Sequence, residues 1–190
     1  MTEKEKMLNG AYYDSRDSEL MKIHHRAKKL LQKYNTLDSE LIAERSHILS
    51  ELLGFKGDGV WIEAHFFCDY GENIRIGDNT FINTNCVFLD NNKITIGQNG
   101  LIAPYVQIYT ASHPSKASDR IIEQGGTSRY LTSAEPVTIG DNVWIGGNSV
   151  IFPGVDIGDN VTIGAGSVVT KNIPNNVLAF GNPCKIIREL

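Results

Sequence analysis

A chain of 190 residues, 41% hydrophobic and 21% charged, can bury one sizeable core and carry an appendage. Its net charge of −4 and pI near 5.7 argue against nucleic-acid binding through a basic surface, so any anionic ligand must find local cations. Cys68, Cys86 and Cys184 form an odd set without paired ligand spacing, which points away from a disulfide framework or a zinc site. The N-terminus lacks the apolar core of a secretion signal, and no stretch approaches the ~20 apolar residues of a membrane span. A cytoplasmic protein with no membrane partner is expected.

In chain order, Thr2 to Glu5 fits a capping box for a short first helix. Ser18 is the expected cap of a second, with Leu20, Ile23, Ala27, Leu30, Leu31 and Tyr34 on one face and Lys22, Arg26, Lys28 and Lys29 turned away. A third has the stripe Leu41, Ile42, Arg45, Ile48, Leu49, Leu52 and Leu53, with Gly54 as its C′ terminator. Residues 1–55 thus read as a helical segment, suited to covering an open end of the β structure expected beyond it.

The remainder of the chain carries an internal repeat. Isoleucine or valine returns every sixth residue through Ile139, Ile145, Ile151, Ile157, Ile163 and Val169, with Gly next at 140, 146, 158 and 164. A helix wants apolar spacings of three and four, and an ordinary half-buried strand wants two. Six suits a chain that lays down a short strand, turns a corner and repeats, the hexapeptide signature of a parallel β-helix. The steps Gly140-Asp141-Asn142, Gly146-Gly147-Asn148 and Gly158-Asp159-Asn160 supply residues that tolerate left-handed corners. The rhythm appears earlier in two runs, Ile76, Ile82, Phe88, Ile94 and then Ile96, Ile102, Ile108. The two-residue slip between them, at Asn91-Asn92-Lys93, reads as a bulged corner because both runs keep their step. The solenoid is expected over 56–173, interrupted by a polar loop at about 113–136, with a tail over 174–190. A loop of that length without structure of its own points to function.

Five histidines, 24, 25, 47, 65 and 113, are present. The first three lie among charges on helices and are expected in solvent. His113 sits where a coil ends and the loop begins, with Pro114 directing the chain behind it. Histidine titrates near neutrality and can take and return a hydroxyl proton. A zinc site built from three histidines finds only His65 and His113 in the repeat region.

The segments Cys68-Asp69-Tyr70-Gly71-Glu72-Asn73-Ile74-Arg75-Ile76-Gly77, Phe81-Ile82-Asn83, Tyr109-Thr110-Ala111-Ser112-His113-Pro114, Val143-Trp144-Ile145-Gly146-Gly147 and Gly181-Asn182-Pro183 resemble the maltose and galactoside O-acetyltransferases. The resemblance covers nearly the whole chain. It implies a mainly β fold, a left-handed parallel β-helix with an N-terminal α-helical segment, assembled as a homotrimer with sites between subunits. It also implies acetyl-coenzyme A as donor, no metal, and a sugar hydroxyl as acceptor in a ternary complex. His113 would be the general base and Asn83 would hold reactants and the developing charge, as an amide at an oxyanion can.

By the same resemblance Asp69 and Asp17 meet the sugar, and Asn91 stands where the galactoside enzymes are acidic. Carboxylates and amides accept the hydrogen bonds that hydroxyls donate. Asp69 matches the maltose type, whereas the galactoside enzymes have Ser there, and the loop after His113 is longer than in either. For the donor, the resemblance implies Gly147 and Ala165 along the pantetheine arm, Thr170 and Lys171 nearer the adenosine, and Lys185 and Arg188 at phosphate. Trp144 is expected as a buried wall of the acyl site or as packing. The alternatives are a hexapeptide acetyltransferase acting on serine or an antibiotic, and a non-catalytic trimer.

Overall fold

The computed structural model describes all 190 residues apart from the side chain of Gln124. Helices α1 (Glu3–Leu8), α2 (Ser18–Thr36) and α3 (Ile42–Leu52) precede a parallel β-helix with three faces. The first face stacks the strands at Phe55, Ile74, Ile94, Val137 and Asp156. The second stacks Trp61–Ile62, Phe81–Ile82, Leu101–Ile102, Trp144–Ile145, Thr162–Ile163 and Val177–Phe180. The third stacks Phe67–Cys68, Val87–Leu89, Gln107–Tyr109, Val150–Ile151 and Val168–Val169.

One inward side chain per face builds the core. Ile62, Ile82, Ile102, Ile145, Ile163 and Ala179 form one buried column, and Cys68, Phe88, Ile108, Ile151 and Val169 another. Each buried aliphatic contributes about 1.5–3 kcal/mol, so the six-residue step is held by burial rather than by turn chemistry. Residues 174–190, expected as a tail, are largely ordered: Val177–Phe180 pairs with Thr162–Ile163 as a further coil strand, and Lys185–Glu189 folds back antiparallel upon it.

Second-face partners lie 20 residues apart at Trp61, Phe81 and Leu101, 43 apart from Leu101 to Trp144, and 18 apart from Trp144 to Thr162. Eighteen is three hexapeptides. The extra residues all fall at one corner, between the third and first faces, where Cys68 to Ile76 and Phe88 to Ile96 each take eight residues against six from Ile151 to Ile157. The slip at Asn91-Asn92-Lys93 is this bulged corner, and the coil before it widens at the same place. The insertion leaves from the same corner one coil later.

That insertion is not structureless. Ala111–Ser112 pairs with Ser133–Ala134, and Ile121–Gln124 pairs with Thr127–Tyr130 across Gly125-Gly126, both at positive φ. Its ribbon leans on the N-terminal segment, which bridges Tyr13 to Thr132 and pairs Asp14 with Arg129.

The corner glycines have a different role from the one expected. The left-handed residues are Asn142, Asn148 and Asn160, with φ of 57°, 57° and 56°, whereas Gly140 is not left-handed. A Cβ there would lie 2.3 Å from Asp159 Oδ1, so the glycine admits the stacked corner of the next coil. Asn79, Asn99, Asn142, Asn160 and Asn176 form a side-chain ladder along that corner.

The helices seal the open end. Tyr34 and Arg45 both donate to the Ile62 carbonyl, Asn35 exchanges two hydrogen bonds with the backbone of Phe66, and Lys28 Nζ donates to the Cys68 carbonyl at 2.5 Å. The unpaired edge of the first coil is thereby satisfied. Lys28 was expected to face away; its long stem lets the ammonium reach back to this edge. Three further expectations change. The cap of α2 is Asp17, whose Oδ1 accepts from the Glu19 N–H at 2.9 Å, rather than Ser18. Leu41 and Ile42 are exposed and Arg45 is buried, so the apolar stripe of α3 starts later. Gly54 follows the Leu53 cap without a left-handed φ; its Cβ would meet the Glu72 carbonyl at 2.1 Å.

Asp90 holds the widened corner from within. It is fully buried, and its Oδ1 accepts from the N–H groups of Asp69 and Tyr70 at 2.9 and 2.8 Å, while Oδ2 has no partner among the described residues. Burial pushes its carboxyl up to about 7, opposed by the Tyr70 N–H.

The folded state therefore keeps a proton that the unfolded chain releases at the ordinary carboxylate pKa of about 4. This stabilisation is complete below about pH 4 and is lost as pH rises to about 7. Urea midpoints measured across that window are expected to fall more steeply in wild type than in Asp90→Asn; parallel profiles would remove Asp90 from the pH dependence. In the ladder, Asn142→Ala is expected to be less stable than Asn142→Gly by about 1 kcal/mol, because both lose the ladder bonds and only Ala is strained at positive φ. Equal midpoints would show that backbone strain does not decide the residue at 142.

Candidate active site

His113 is placed by the two ends of the insertion. Its Nδ1 lies 2.8 Å from the Leu131 carbonyl, which can only accept, so Nδ1 carries a proton and in the neutral ring Nε2 is the atom with the lone pair. The ring is exposed, leaving Nε2 open to a ligand. Arg120 fixes the chain behind it, donating from its side chain to the Pro114 and Ser115 carbonyls at 2.9 and 2.7 Å and accepting from the Leu131 N–H through its own carbonyl. That role of Arg120 carried no signal in the sequence beyond a polar residue in a loop.

Asp69 and Asn91 lie on the same corner as His113, in the two preceding coils. A cavity of about 200 Å³ opens there, lined by Ser15, Met21, His24, Asp69, Tyr70 and Asn91. Asp69 Oδ1 lies 3.6 Å from Lys28 Nζ and 4.0 Å from His24 Nδ1. Burial lowers both basic groups; at Lys28 the Asp69 charge opposes it, and at His24 the Lys28 charge adds to it. Asn91 is buried, with Nδ2 donating to the Tyr13 hydroxyl at 3.0 Å. Asp17 falls between Ser15 and Met21 in the chain but does not line the cavity, and one of its carboxylate oxygens is engaged as the helix cap.

His24 and Lys28 were expected in solvent. The signal that finds them is the spacing Asp17, Met21, His24, Lys28, a second stripe on α2 at intervals of four, three and four, beside the apolar one. Tyr13 and Asp90 carried no comparable signal.

Asn83 occupies another corner, between the second and third faces. Its Oδ1 accepts from the Thr84 N–H at 2.7 Å, which leaves Nδ2 as a donor and separates Asn83 from the asparagine ladder. Gly147 and Ala165 follow along this corner in later coils, and among the described residues no acceptor pairs with either N–H. Lys185 pairs with Phe180 where the last strand of the second face reaches this corner, whereas Arg188 pairs with Leu178 farther back across the face. Thr170 and Lys171 are exposed on the His113 corner. His65 is exposed with φ 67° on the Asn83 corner, a full face from His113. Among the described residues no three His, Cys, Asp or Glu side chains gather as a metal site, and no helix is long and apolar enough to cross a membrane.

Trp144 is not buried. It is 54% exposed, on the outer side of the second face between Leu101 and Thr162, because the inward position of its strand belongs to Ile145.

The maltose acetyltransferase hexapeptide capping motif matches residues 6–57, and the hexapeptide repeat of succinyl-transferase matches 136–171. The fold is similar to a maltose O-acetyltransferase from Clostridium difficile, with TM-score 0.93 and 49% identity over 100% of this chain and 98% of that one. It is similar also to a galactoside acetyltransferase in complex with coenzyme A, with TM-score 0.91 and 39% identity over 100% and 91%. A hexapeptide-repeat acetyltransferase from Vibrio cholerae, complexed with acetyl-coenzyme A, has TM-score 0.89 and 41% identity over 100% and 99%. Together with the repeat and the corner segments, these likenesses show that the chain belongs to the maltose and galactoside O-acetyltransferase family of hexapeptide-repeat acetyltransferases.

Proposed function

We propose that this protein transfers acetyl from acetyl-coenzyme A to a hydroxyl of a sugar or glycoside, in a ternary complex with His113 as general base. The tautomer of His113 carries the reading. With Nδ1–H spent on the Leu131 carbonyl, Nε2 takes the acceptor proton as the hydroxyl oxygen bonds to the thioester carbonyl carbon. It returns that proton to sulfur as the carbon–sulfur bond breaks, so no net charge is left on the ring. Asn83, with Nδ2 free to donate, supports the charge that develops on the carbonyl oxygen.

The donor fits the corner bearing Asn83. The unpaired N–H groups of Gly147 and Ala165 suit the amides of a pantetheine arm, and a Cβ at Gly166 would meet nothing within 4 Å, so the corner is open. Lys185 and Arg188 are assigned to the nucleotide end, where phosphates need cations, and Thr170 and Lys171, on the His113 corner, would reach it from a neighbouring subunit. Asp69, Asn91 and Asp17 are assigned to acceptor hydroxyls.

Asn83 and His113 belong to different corners of one chain, separated by a face of about six residues and on the order of 10 Å or more. A homotrimer that sets one subunit's Asn83 corner against its neighbour's His113 corner completes the site. The outer surface of the second face supports it, exposing Leu101 and Trp144 beside Phe81, whereas the first face shows Arg75, Thr95, Thr138 and Asp156 beyond an exposed Phe55.

His113→Ala is expected to lower turnover by about 10²- to 10⁴-fold with folding unchanged, measured as thiol released from acetyl-coenzyme A in the presence of sugar acceptors. A folded variant that keeps half its activity would remove His113 from the mechanism. Co-assembled His113→Ala and Asn83→Ala subunits are expected to recover part of the activity that each variant lacks alone, since some hybrid interfaces pair two intact corners. A fully active monomer by light scattering would overturn the shared site.

A further inference from the structure

A cavity of about 250 Å³ lies between α3 and the first coil. Lys56 ends the first-face strand beside it and Trp61 begins the second-face strand, so it belongs to the corner between those faces, away from the corner that carries Asp69 and His113. Arg45 and Lys56 are in its wall, and among the described residues that line it none is acidic. On a chain of net charge −4, this recess is positive.

Arg45 is only 4% exposed, and the partners of its guanidinium are all neutral. They are the Tyr34 hydroxyl at 3.0 Å, the Ile62 carbonyl at 3.1 Å and the Leu37 carbonyl at 3.5 Å. The rings of Tyr34 and Trp61, 4.5 and 5.6 Å from Cζ, spread the charge without cancelling it. Its Nε–H has no acceptor among the described residues and keeps accessible surface. Lys56 Nζ reaches only the Gly57 carbonyl, at 3.3 Å. Glu63 accepts from Trp61 Nε1 at 2.9 Å and is not in the wall.

Buried charges are ordinarily paired, because neutral acceptors replace lost hydration only in part. Arg45 has lost its hydration and gained no counter-charge. The rest of the wall is apolar, with Ile42, Leu49, Val60 and Trp61 around it. A bare inorganic anion would leave those walls against water, and a neutral apolar molecule would leave the charge uncompensated. We infer that the recess binds a small organic carboxylate, with its charge between Arg45 Nε and Lys56 Nζ and its apolar body against Val60 and Trp61. The volume is below the roughly 300–1,000 Å³ of sites for drug-sized ligands and suits a molecule of one ring or a short chain. The ligand takes no part in acetyl transfer. It bridges α3 to the first coil, so its binding reads out as stability of the assembled protein.

The test titrates the melting temperature of the assembled protein with benzoate, hexanoate, benzamide and inorganic phosphate at constant ionic strength. At least one of the two carboxylates is expected to raise it saturably with half-effect near ~1 mM, and benzamide and phosphate to be at least about tenfold weaker. Lys56→Arg is expected to bind as wild type and Lys56→Glu to lose the effect; if Lys56→Glu does not fold, Lys56→Gln is expected to weaken binding about fivefold. Absence of a saturable rise with either carboxylate overturns the site. Equal action of benzamide would make the recess a neutral apolar crevice, and equal action of phosphate would make it a site for inorganic anions; either result overturns the inference. Undiminished binding by the folded Lys56→Glu or Lys56→Gln variant would place the carboxylate elsewhere on the protein and overturn it as well.

Discussion

Hydrogen bonding between successive coils is the constraint on which the rest of the molecule depends. A strand on each face pairs only with the strands directly above and below it, so every coil must bring its chain back into register after three turns. One aliphatic per face points inward, and the corners must stack closely enough that Gly140 admits no Cβ. Within those limits the solenoid tolerates little variation along its faces. Variation is confined to corners, where extra residues lengthen the turn without disturbing the rungs.

The candidate site lies where that freedom is used, at one corner. Two coils widen there by two residues each and the third opens into the whole insertion, which brings Asp69, Asn91 and His113 to one edge of the prism. Widening exposes backbone that the rungs no longer satisfy, and buried polar side chains replace them. Asp90 accepts from Asp69 and Tyr70, Asn73 donates to the Asp90 carbonyl, and Asn92 donates to the carbonyls of Met7, Leu8 and Ala134. The last of these bonds tie α1 to the insertion, so the N-terminal segment braces the site as well as covering the end of the helix.

Asn83 and His113 stand on separate corners, and the chain keeps apolar side chains outside on the second face. Leu101 and Trp144 gain nothing by exposure in a single chain, and their inward neighbours already fill the core. In the proposed threefold assembly they would meet a partner surface, and the two halves of the proposed chemistry would come together.

The six-residue recurrence of Ile and Val was enough by itself to determine the solenoid, because burying one side chain per face admits few other spacings. The phase slip likewise marked the widened corner, since a change of two residues cannot be absorbed within a paired strand. Capping by Thr2 and Glu5 was legible because both partners lie three residues apart. Only the tertiary structure decided which groups surround the site. His24 and Lys28 look like solvent-facing residues on α2 until the helix is docked on the first coil, and Trp144 looks like core until Ile145 takes the inward position. The Leu131 carbonyl that settles the His113 tautomer lies 18 residues away, at the far end of a ribbon whose closure no local pattern specifies. Local spacing encodes what a residue does within its own strand or helix turn; contacts between distant segments depend on how those elements pack, and that is a property of the whole chain.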